Sequence, residues 1–150
     1  MNYSQLSKLE SDSIRKFLED NKQYLTGKVL DYGCGLSPYK DLCGEYVGYE
    51  KGQILPPEKF DVVLCTQVLE FVDNPLNTLR HLSILAPIIV LTYPTNWPET
   101  EPSDLWRFTK AGMEALCREV GLKVIKHEPR ASIDGEDYKL FLGYGIICKS

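Results

Sequence analysis

Residues 28–39 read K-V-L-D-Y-G-C-G-L-S-P-Y, a short apolar run that is followed closely by glycines. Val29 and Leu30 are typical of a buried parallel strand. Gly33 and Gly35 lack a Cβ atom, so the backbone there can adopt a positive φ and approach a ligand closely. A pair of glycines also makes ordinary turns. In open α/β sheets, however, ligands bind at the carboxyl ends of strands, so this stretch predicts an α/β fold with a ligand site after its first strand.

A second strand that ends in an acidic residue supports the ligand site. Residues 46–50, Y-V-G-Y-E, predict a short strand ending in Glu50, about twenty residues beyond Asp31. At this offset a carboxylate on the neighbouring strand can accept hydrogen bonds from ribose hydroxyls. The two motifs together predict a ligand that contains a nucleoside.

Pro38 distinguishes between two kinds of nucleoside ligand. The dinucleotide motif G-x-G-x-x-G needs a third glycine where this chain has Pro38, so that a helix N-terminus can bind the pyrophosphate. Proline removes an amide and adds bulk, which disfavours a pyrophosphate. A ligand with a ribose and an amino-acid moiety but no phosphate does not need that contact. S-adenosylmethionine is such a ligand.

These motifs resemble those of the class I S-adenosylmethionine-dependent methyltransferase superfamily. V-L-D-Y-G-C-G at 29–35 is similar to the first motif of the family, and V-G-Y-E at 47–50 is similar to its acidic second-strand motif. C-G-x-x-P-Y-K at 34–40 resembles the small-molecule, type 11-like branch. The resemblance implies a single Rossmann-like α/β domain over residues 1–150, with a mostly parallel sheet and an antiparallel C-terminal strand.

The resemblance has one gap, between the second strand and the next one. F-D-V-V-L-C at 60–65 is similar to the fourth strand of the family, yet only residues 51–59 separate it from Glu50. The family places a helix, a third strand and an adenine-contacting acidic residue in this interval. We therefore predict that the third strand is lost and that strand 46–50 is an edge. Its unpaired backbone groups then need a cover, a second copy of the chain or a partner subunit.

The remaining site residues follow from the resemblance. The residues expected at the cofactor are Asp31, Tyr32, Gly33, Cys34, Gly35, Glu50, Cys65, Thr66 and Gln67. An irregular, aromatic-rich loop over residues 93–108 is expected to border the acceptor, through Tyr93, Trp97 and Trp106. Methyl transfer depends mainly on alignment and exclusion of water, so no catalytic residue stands out; Tyr93, Asp104 and His127 are candidates for accepting or orienting a proton of the acceptor.

Composition limits the partners. A net charge of −4 and the absence of a lysine or arginine cluster disfavour nucleic acid as a partner. No apolar run is long enough to cross a membrane and the N-terminus lacks the apolar core of a signal peptide, so a cytoplasmic location is predicted. The five cysteines are widely spaced and only two histidines are present, which predicts neither disulfides nor a metal site.

The flanking segments also carry predictions. Residues 4–24 predict an amphipathic helix, with a second N-cap at residues 11–13, that packs on the sheet or forms a lid over the cofactor. Asn74-Pro75 and Thr109 are typical of helix starts. Residues 122–127 and 140–148 predict a final strand pair, and the polar residues 129–138 between them predict a flexible loop.

Three functions remain open at this point. The first is an S-adenosylmethionine-dependent methyltransferase that acts on a small-molecule acceptor. The second is a non-catalytic subunit of the same fold. The third is a nucleotide-dependent oxidoreductase, which Pro38 disfavours.

Overall fold

A computed structural model describes residues 1–150 as a single mixed sheet with helices on both faces. The strands are β1 (Lys28–Tyr32), β2 (Glu45–Tyr49), β3 (Val62–Thr66), β4 (Ile88–Pro94), β5 (Lys123–Asp134) and β6 (Lys139–Lys149). Their order across the sheet is β2-β1-β3-β4-β6-β5. The first four strands are parallel, and β6 runs antiparallel to both β4 and β5. The predicted fold class is therefore confirmed.

Three helices cover the sheet. Helix α1 (Tyr3–Asp20) packs its apolar stripe on one face, whereas α2 (Pro75–Leu85) and α3 (Lys110–Glu119) cover the other. The side chain of Asn74 caps α2, and the Thr109 hydroxyl accepts the Gly112 amide at the start of α3, so both predicted helix starts are confirmed. None of these helices has the length and hydrophobicity that a bilayer span requires.

Helix α1 is continuous, so the predicted second N-cap is wrong. The Ser11 hydroxyl donates to the carbonyl of Lys8 (3.1 Å) and the Ser13 hydroxyl to that of Glu10 (2.7 Å). Each serine bonds back to the preceding turn of the same helix instead of capping a new one, which leaves the helix unbroken. The helix ends at Asp20 and a short 3₁₀ turn follows at Lys22–Tyr24.

Strand β2 lies at the edge of the sheet and pairs only with β1. Residues 51–59 form turns and irregular backbone, with neither a helix nor a strand between β2 and β3. The predicted loss of the third strand is therefore confirmed. The outer backbone groups of β2 are left without a partner strand.

The C-terminal hairpin is longer than predicted. Strand β5 extends to Asp134 and is joined to β6 by residues 135–138 alone, so the predicted loop at 129–138 is wrong for most of its length. The register is regular from His127 onward, after a bulge between Val124 and Lys126. Polar residues are tolerated in this strand because β5 is the other edge of the sheet.

Candidate functional site

A cavity of about 550 Å³ lies at the carboxyl ends of β1, β2 and β3. A volume of this size is typical of a small-molecule site, and the carboxyl edge of parallel strands is where such sites form. Among the residues predicted at the cofactor, its wall includes Tyr32, Gly33, Gly35, Glu50 and Gln67. The structure thus brings the glycine loop, the acidic end of β2 and the end of β3 to one cavity.

The backbone at Gly33 requires glycine. Its φ is +81°, and a Cβ atom there would lie 2.5 Å from Cγ2 of Val68. The Gly33 amide donates to the carbonyl of Tyr49 (2.8 Å), which ties the loop to the end of β2. A side chain at this position would therefore have to displace a wall of the cavity.

No long helix begins behind the glycine loop. The loop is followed only by the three-residue 3₁₀ turn Lys40–Leu42. A dinucleotide site binds its pyrophosphate at the N-terminus of a helix that starts here. This arrangement agrees with the interpretation of Pro38 and disfavours a dinucleotide.

The Glu50 carboxylate lies against the glycine loop. Its Oε1 accepts a hydrogen bond from the Gly35 amide, and its own amide donates to the side-chain carbonyl of Gln53 (2.8 Å). These contacts fix an acidic group in the wall of the cavity. A carboxylate held there can accept hydrogen bonds from the hydroxyls of a ligand.

Asp31 lies beneath the loop and does not line this cavity. Its Oδ2 accepts a hydrogen bond from the Tyr46 hydroxyl (2.6 Å), while Oδ1 is buried without a partner. Burial raises the pKa of Asp31 to about 6. In this conformation the carboxylate joins β1 to β2 through the Tyr46 hydroxyl.

Three other predicted cofactor residues also fall outside the cavity wall, namely Cys34, Cys65 and Thr66. Cys65 is fully buried in the core between the sheet and helices α2 and α3. The Cys34 sulfur packs against Gly48, where a Cβ atom would lie 3.0 Å away. The side chains of these two residues therefore support the strand ends.

An apolar part of the wall was not predicted. Val68, Phe71 and Val72 line the cavity from the turn that follows β3. Leu69 and Glu70 of the same turn are buried, so two inward-facing residues separate Val68 from Phe71 and Val72. The available signal was the run of apolar residues at 68, 69, 71 and 72.

The tryptophans predicted at the acceptor lie beside a separate, smaller pocket. Trp97 and Trp106 line a pocket of about 270 Å³ together with Asp104 and Arg107. The Trp106 indole donates to the carbonyl of Val72 (2.8 Å), which joins this loop to the wall of the main cavity. The amides of Leu105 (2.8 Å) and Trp106 (3.2 Å) also donate to the carbonyl of Glu70, so three hydrogen bonds join this loop to the turn after β3.

Tyr93 requires a correction, because its side chain is fully buried and borders neither of these two spaces. Its hydroxyl is 2.6 Å from Nε2 of His127, and Nδ1 of His127 is 2.8 Å from Oε1 of Glu114. Strand β4 is central and covered on both faces, so both sets of alternate side chains are buried. Burial also lowers the pKa of His127. Tyr93 and His127 thus form a core hydrogen-bond chain.

Asp104, the second candidate for accepting a proton, is paired with an arginine. Its two carboxylate oxygens accept hydrogen bonds from Nη1 (2.6 Å) and Nη2 (2.7 Å) of Arg107. This pairing holds the pKa of Asp104 below its usual value. A carboxylate stabilised in its ionised form is a poor proton acceptor, so the ion pair with Arg107 disfavours the predicted proton-accepting role of Asp104.

Glu70 is a buried acidic group that sequence reasoning missed. Only 2% of the residue is exposed, and its Oε2 has no hydrogen-bond partner. Burial raises its pKa to about 8, with a further contribution from the nearby Asp104 carboxylate. Its position between the cavity wall and the acceptor loop was not evident from the sequence.

Comparison with solved structures identifies the fold. An S-adenosylmethionine-dependent methyltransferase from Archaeoglobus fulgidus aligns with a TM-score of 0.64 at 18% identity, over 99% of this chain and 100% of that one. Magnesium protoporphyrin IX methyltransferase from Synechocystis PCC 6803, with bound S-adenosylhomocysteine, aligns with a TM-score of 0.60 at 13% identity, over 99% and 88% of the two chains. A methyltransferase in complex with the Haloferax volcanii activator Trm112 gives 0.61 at 17% identity, over 93% and 94%.

No protein-family model matches the chain, and no curated protein matches its sequence. At these low identities the structural comparison defines the fold. The chain therefore has the class I S-adenosylmethionine-dependent methyltransferase fold, in a form that lacks the third strand.

Proposed function

We propose that this protein binds S-adenosylmethionine in the 550 Å³ cavity and transfers its methyl group to a small-molecule acceptor. The observation that supports this most is the meeting of Gly33, Gly35 and Glu50 at one cavity without a helix N-terminus behind the loop. Such a site suits a ribose and an amino-acid moiety, and no long helix follows the glycine loop at the position where a dinucleotide fold binds its pyrophosphate.

Each part of the cavity fits one part of this ligand. The glycine loop allows close approach of the amino-acid moiety, and Glu50 accepts hydrogen bonds from the ribose. The apolar wall of Val68, Phe71 and Val72 packs against the adenine ring of the ligand. S-adenosylmethionine supplies a methyl group on a positively charged sulfur, so the chain itself has only to align the acceptor and exclude water.

The acceptor binds on the side of the loop that carries Trp97 and Trp106. The pocket between these residues is open to the surface and is joined to the cofactor wall by the Trp106 indole. Aromatic side chains on an irregular loop are typical of sites that cover a small organic molecule. The acidic net charge of −4 favours such an acceptor over a nucleic acid.

A non-catalytic subunit of the same fold is a second candidate. The unpaired edge of β2 and the short segment at 51–59 favour it, because an edge strand is a surface on which another chain can pair. A second copy of the chain and a different partner subunit both fit this edge. Such a subunit would bind the cofactor or a partner without turnover.

Calorimetric titration tests the proposed ligand. We expect S-adenosylmethionine and S-adenosylhomocysteine to bind with a dissociation constant on the order of micromolar, weaker than nanomolar because the third-strand side is missing. NAD⁺ is the matched control and is expected to show no heat of binding. Binding of NAD⁺ alone would favour the oxidoreductase instead. Methyl transfer to an added acceptor then separates the enzyme from the non-catalytic subunit.

Glu50→Ala is expected to weaken S-adenosylhomocysteine binding by about 10- to 100-fold, because hydrogen bonds to a charged acceptor contribute about 1.5–3 kcal/mol. Glu50→Gln should weaken it less, since its amide oxygen still accepts a hydrogen bond. The exposed Glu45, at the other end of β2, provides the control variant Glu45→Ala. Equal affinities for all four proteins would place the ribose elsewhere.

A further inference from the structure

A buried ion pair joins helix α1 to strand β5 beside the cavity. Arg130 is 3% exposed and Glu10 is 6% exposed, and Nη2 of Arg130 lies 3.0 Å from Oε1 of Glu10. Glu10 precedes Ile14 by one helical turn, so it occupies a position on the buried stripe of α1 where an apolar residue is expected. This placement calls for a role other than packing.

The third member of this group is Gln67, the first residue after β3, which lines the cavity. We call Glu10, Gln67 and Arg130 the Arg130 cluster. The Gln67 side-chain nitrogen donates to Oε1 of Glu10 (2.9 Å), and its side-chain oxygen accepts from Nη2 of Arg130 (3.3 Å). Both ends of the amide are therefore held by charged groups.

The charges leave the Gln67 amide only one orientation. An ionised carboxylate can only accept a hydrogen bond and a guanidinium can only donate one. A rotation of the amide by half a turn would place oxygen against oxygen and nitrogen against nitrogen. The amide nitrogen carries two hydrogens and Glu10 takes one of them, so a second donor remains for a ligand.

The backbone of Gln67 is also held in an uncommon conformation. Its φ is +53°, and its amide donates to the carbonyl of Thr92 (3.0 Å). Residues other than glycine persist in this region where the surrounding structure over-determines them, and such positions concentrate at ligand sites. Both the main chain and the side chain of Gln67 are thus fixed at the cavity.

The rest of the guanidinium anchors the cluster to the sheet and to helix α1. Arg130 donates to the carbonyls of Tyr144 (3.0 Å) and Tyr93 (3.1 Å) and to the Ser13 hydroxyl (2.9 Å). Burying an ion pair is weak evidence for a contribution to stability, since its desolvation offsets much of its attraction. An arginine that donates from all three of its nitrogens is better explained by the fixed geometry that it imposes on its neighbours.

We propose that Glu10 and Arg130 are positioning residues that fix the amide of Gln67 so that its free N–H points a donor at the bound ligand. Helix α1 thereby contributes to the site, although none of its residues lines the cavity. Its Glu10 acts on the ligand indirectly, by holding Gln67. The inference rests on the proposed S-adenosylmethionine site. It adds two residues to that site which neither the motifs nor the fold assign.

A double-mutant cycle on S-adenosylhomocysteine affinity tests the proposal, because two residues that act through one contact are not additive. Arg130→Lys cannot reproduce the forked contacts, and we expect it to weaken binding by roughly 10-fold. In a Gln67→Ala background the same substitution is expected to change affinity by less than about two-fold. Ser11→Ala is the matched control: it removes a serine hydroxyl on an exposed part of α1 that bonds only to the carbonyl of Lys8, and affinity should stay within about two-fold of wild type.

An equal loss of affinity from Arg130→Lys in both backgrounds would overturn the proposal, because the arginine would then act on the fold alone. If Arg130→Lys does not fold, as judged by circular dichroism, Glu10→Gln replaces it in the same cycle, with the same expectation. Failure of the wild-type protein to bind S-adenosylhomocysteine would overturn the proposed function, and this inference with it. If the wild-type protein binds S-adenosylhomocysteine but the effects of the two substitutions on affinity are additive, this inference is overturned and the proposed function stands.

Discussion

Gly33→Val is expected to abolish measurable S-adenosylhomocysteine binding, a loss of at least roughly 100-fold. The first added carbon would lie 2.5 Å from Cγ2 of Val68, which itself forms part of the cavity wall. The φ of +81° adds strain, because a β-branched residue rarely adopts this conformation. The loop must therefore shift or Val68 must move into the space that the ligand needs. Calorimetric titration of the folded variant measures the effect.

Gly121→Val is the matched control for this substitution. Gly121 has a φ of +78°, but a Cβ atom there would have no heavy atom within 4 Å, and the residue follows α3 away from the cavity. We expect the variant to lose stability through the same backbone strain, on the order of 1–2 kcal/mol, with affinity unchanged. If Gly33→Val bound the ligand as tightly as this control, the glycine loop would not be part of the site.

Glu70→Gln is expected to raise the free energy of unfolding above pH 8 by about 2–4 kcal/mol relative to wild type. Burial raises the pKa of Glu70 from its ordinary 4.5 to about 8, so the folded state binds this proton more tightly than the unfolded chain does. Stability is therefore lost as the pH rises from about 4.5 to about 8 and is regained as the pH falls. Glutamine has the shape of the protonated acid and does not ionise, so this loss disappears.

Urea denaturation at several pH values measures the difference. The two proteins should be similarly stable near pH 4.5 and diverge steadily toward pH 8. The exposed Glu101→Gln variant controls for the loss of one negative charge. Comparison at each pH removes the contributions of other titrating groups, including Asp104, whose pKa is lowered. Parallel curves for wild type and Glu70→Gln would show that this carboxyl is ionised in the folded protein.

Much of the fold follows from local patterns in the sequence. The apolar run before Gly33 predicts the central parallel strand, and the short interval at 51–59 predicts that β2 is an edge. These features depend on residues close together in the chain. The cap at Thr109 is local in the same sense, because its hydroxyl bonds an amide three residues away.

The site itself depends on contacts between distant segments, which local patterns do not encode. Glu10 and Arg130 are 120 residues apart and meet only when α1 packs across β5. Tyr93 was predicted at the acceptor because it opens an aromatic loop, yet it belongs to a central strand and is buried on the core side. The sequence separates strand ends from loops poorly, so such a residue is easily placed on the wrong side of the boundary.

The hairpin shows a second limit. Residues 129–138 are polar and contain a proline and a glycine, which is typical of a loop, but most of them continue β5. An edge strand tolerates such residues because one side of its backbone needs no partner strand. Whether a segment lies at an edge is decided by the order of the whole sheet.

A crystal structure of the complex with S-adenosylhomocysteine tests the central claim most directly. The account predicts the ligand in the cavity between the glycine loop and the turn after β3, with its ribose hydroxyls about 2.6–3.0 Å from the Glu50 carboxylate. The adenine ring of the ligand should lie against Val68, Phe71 and Val72. Electron density for the ligand at any other place, with Glu50 still bound only to the Gly35 amide, would contradict it.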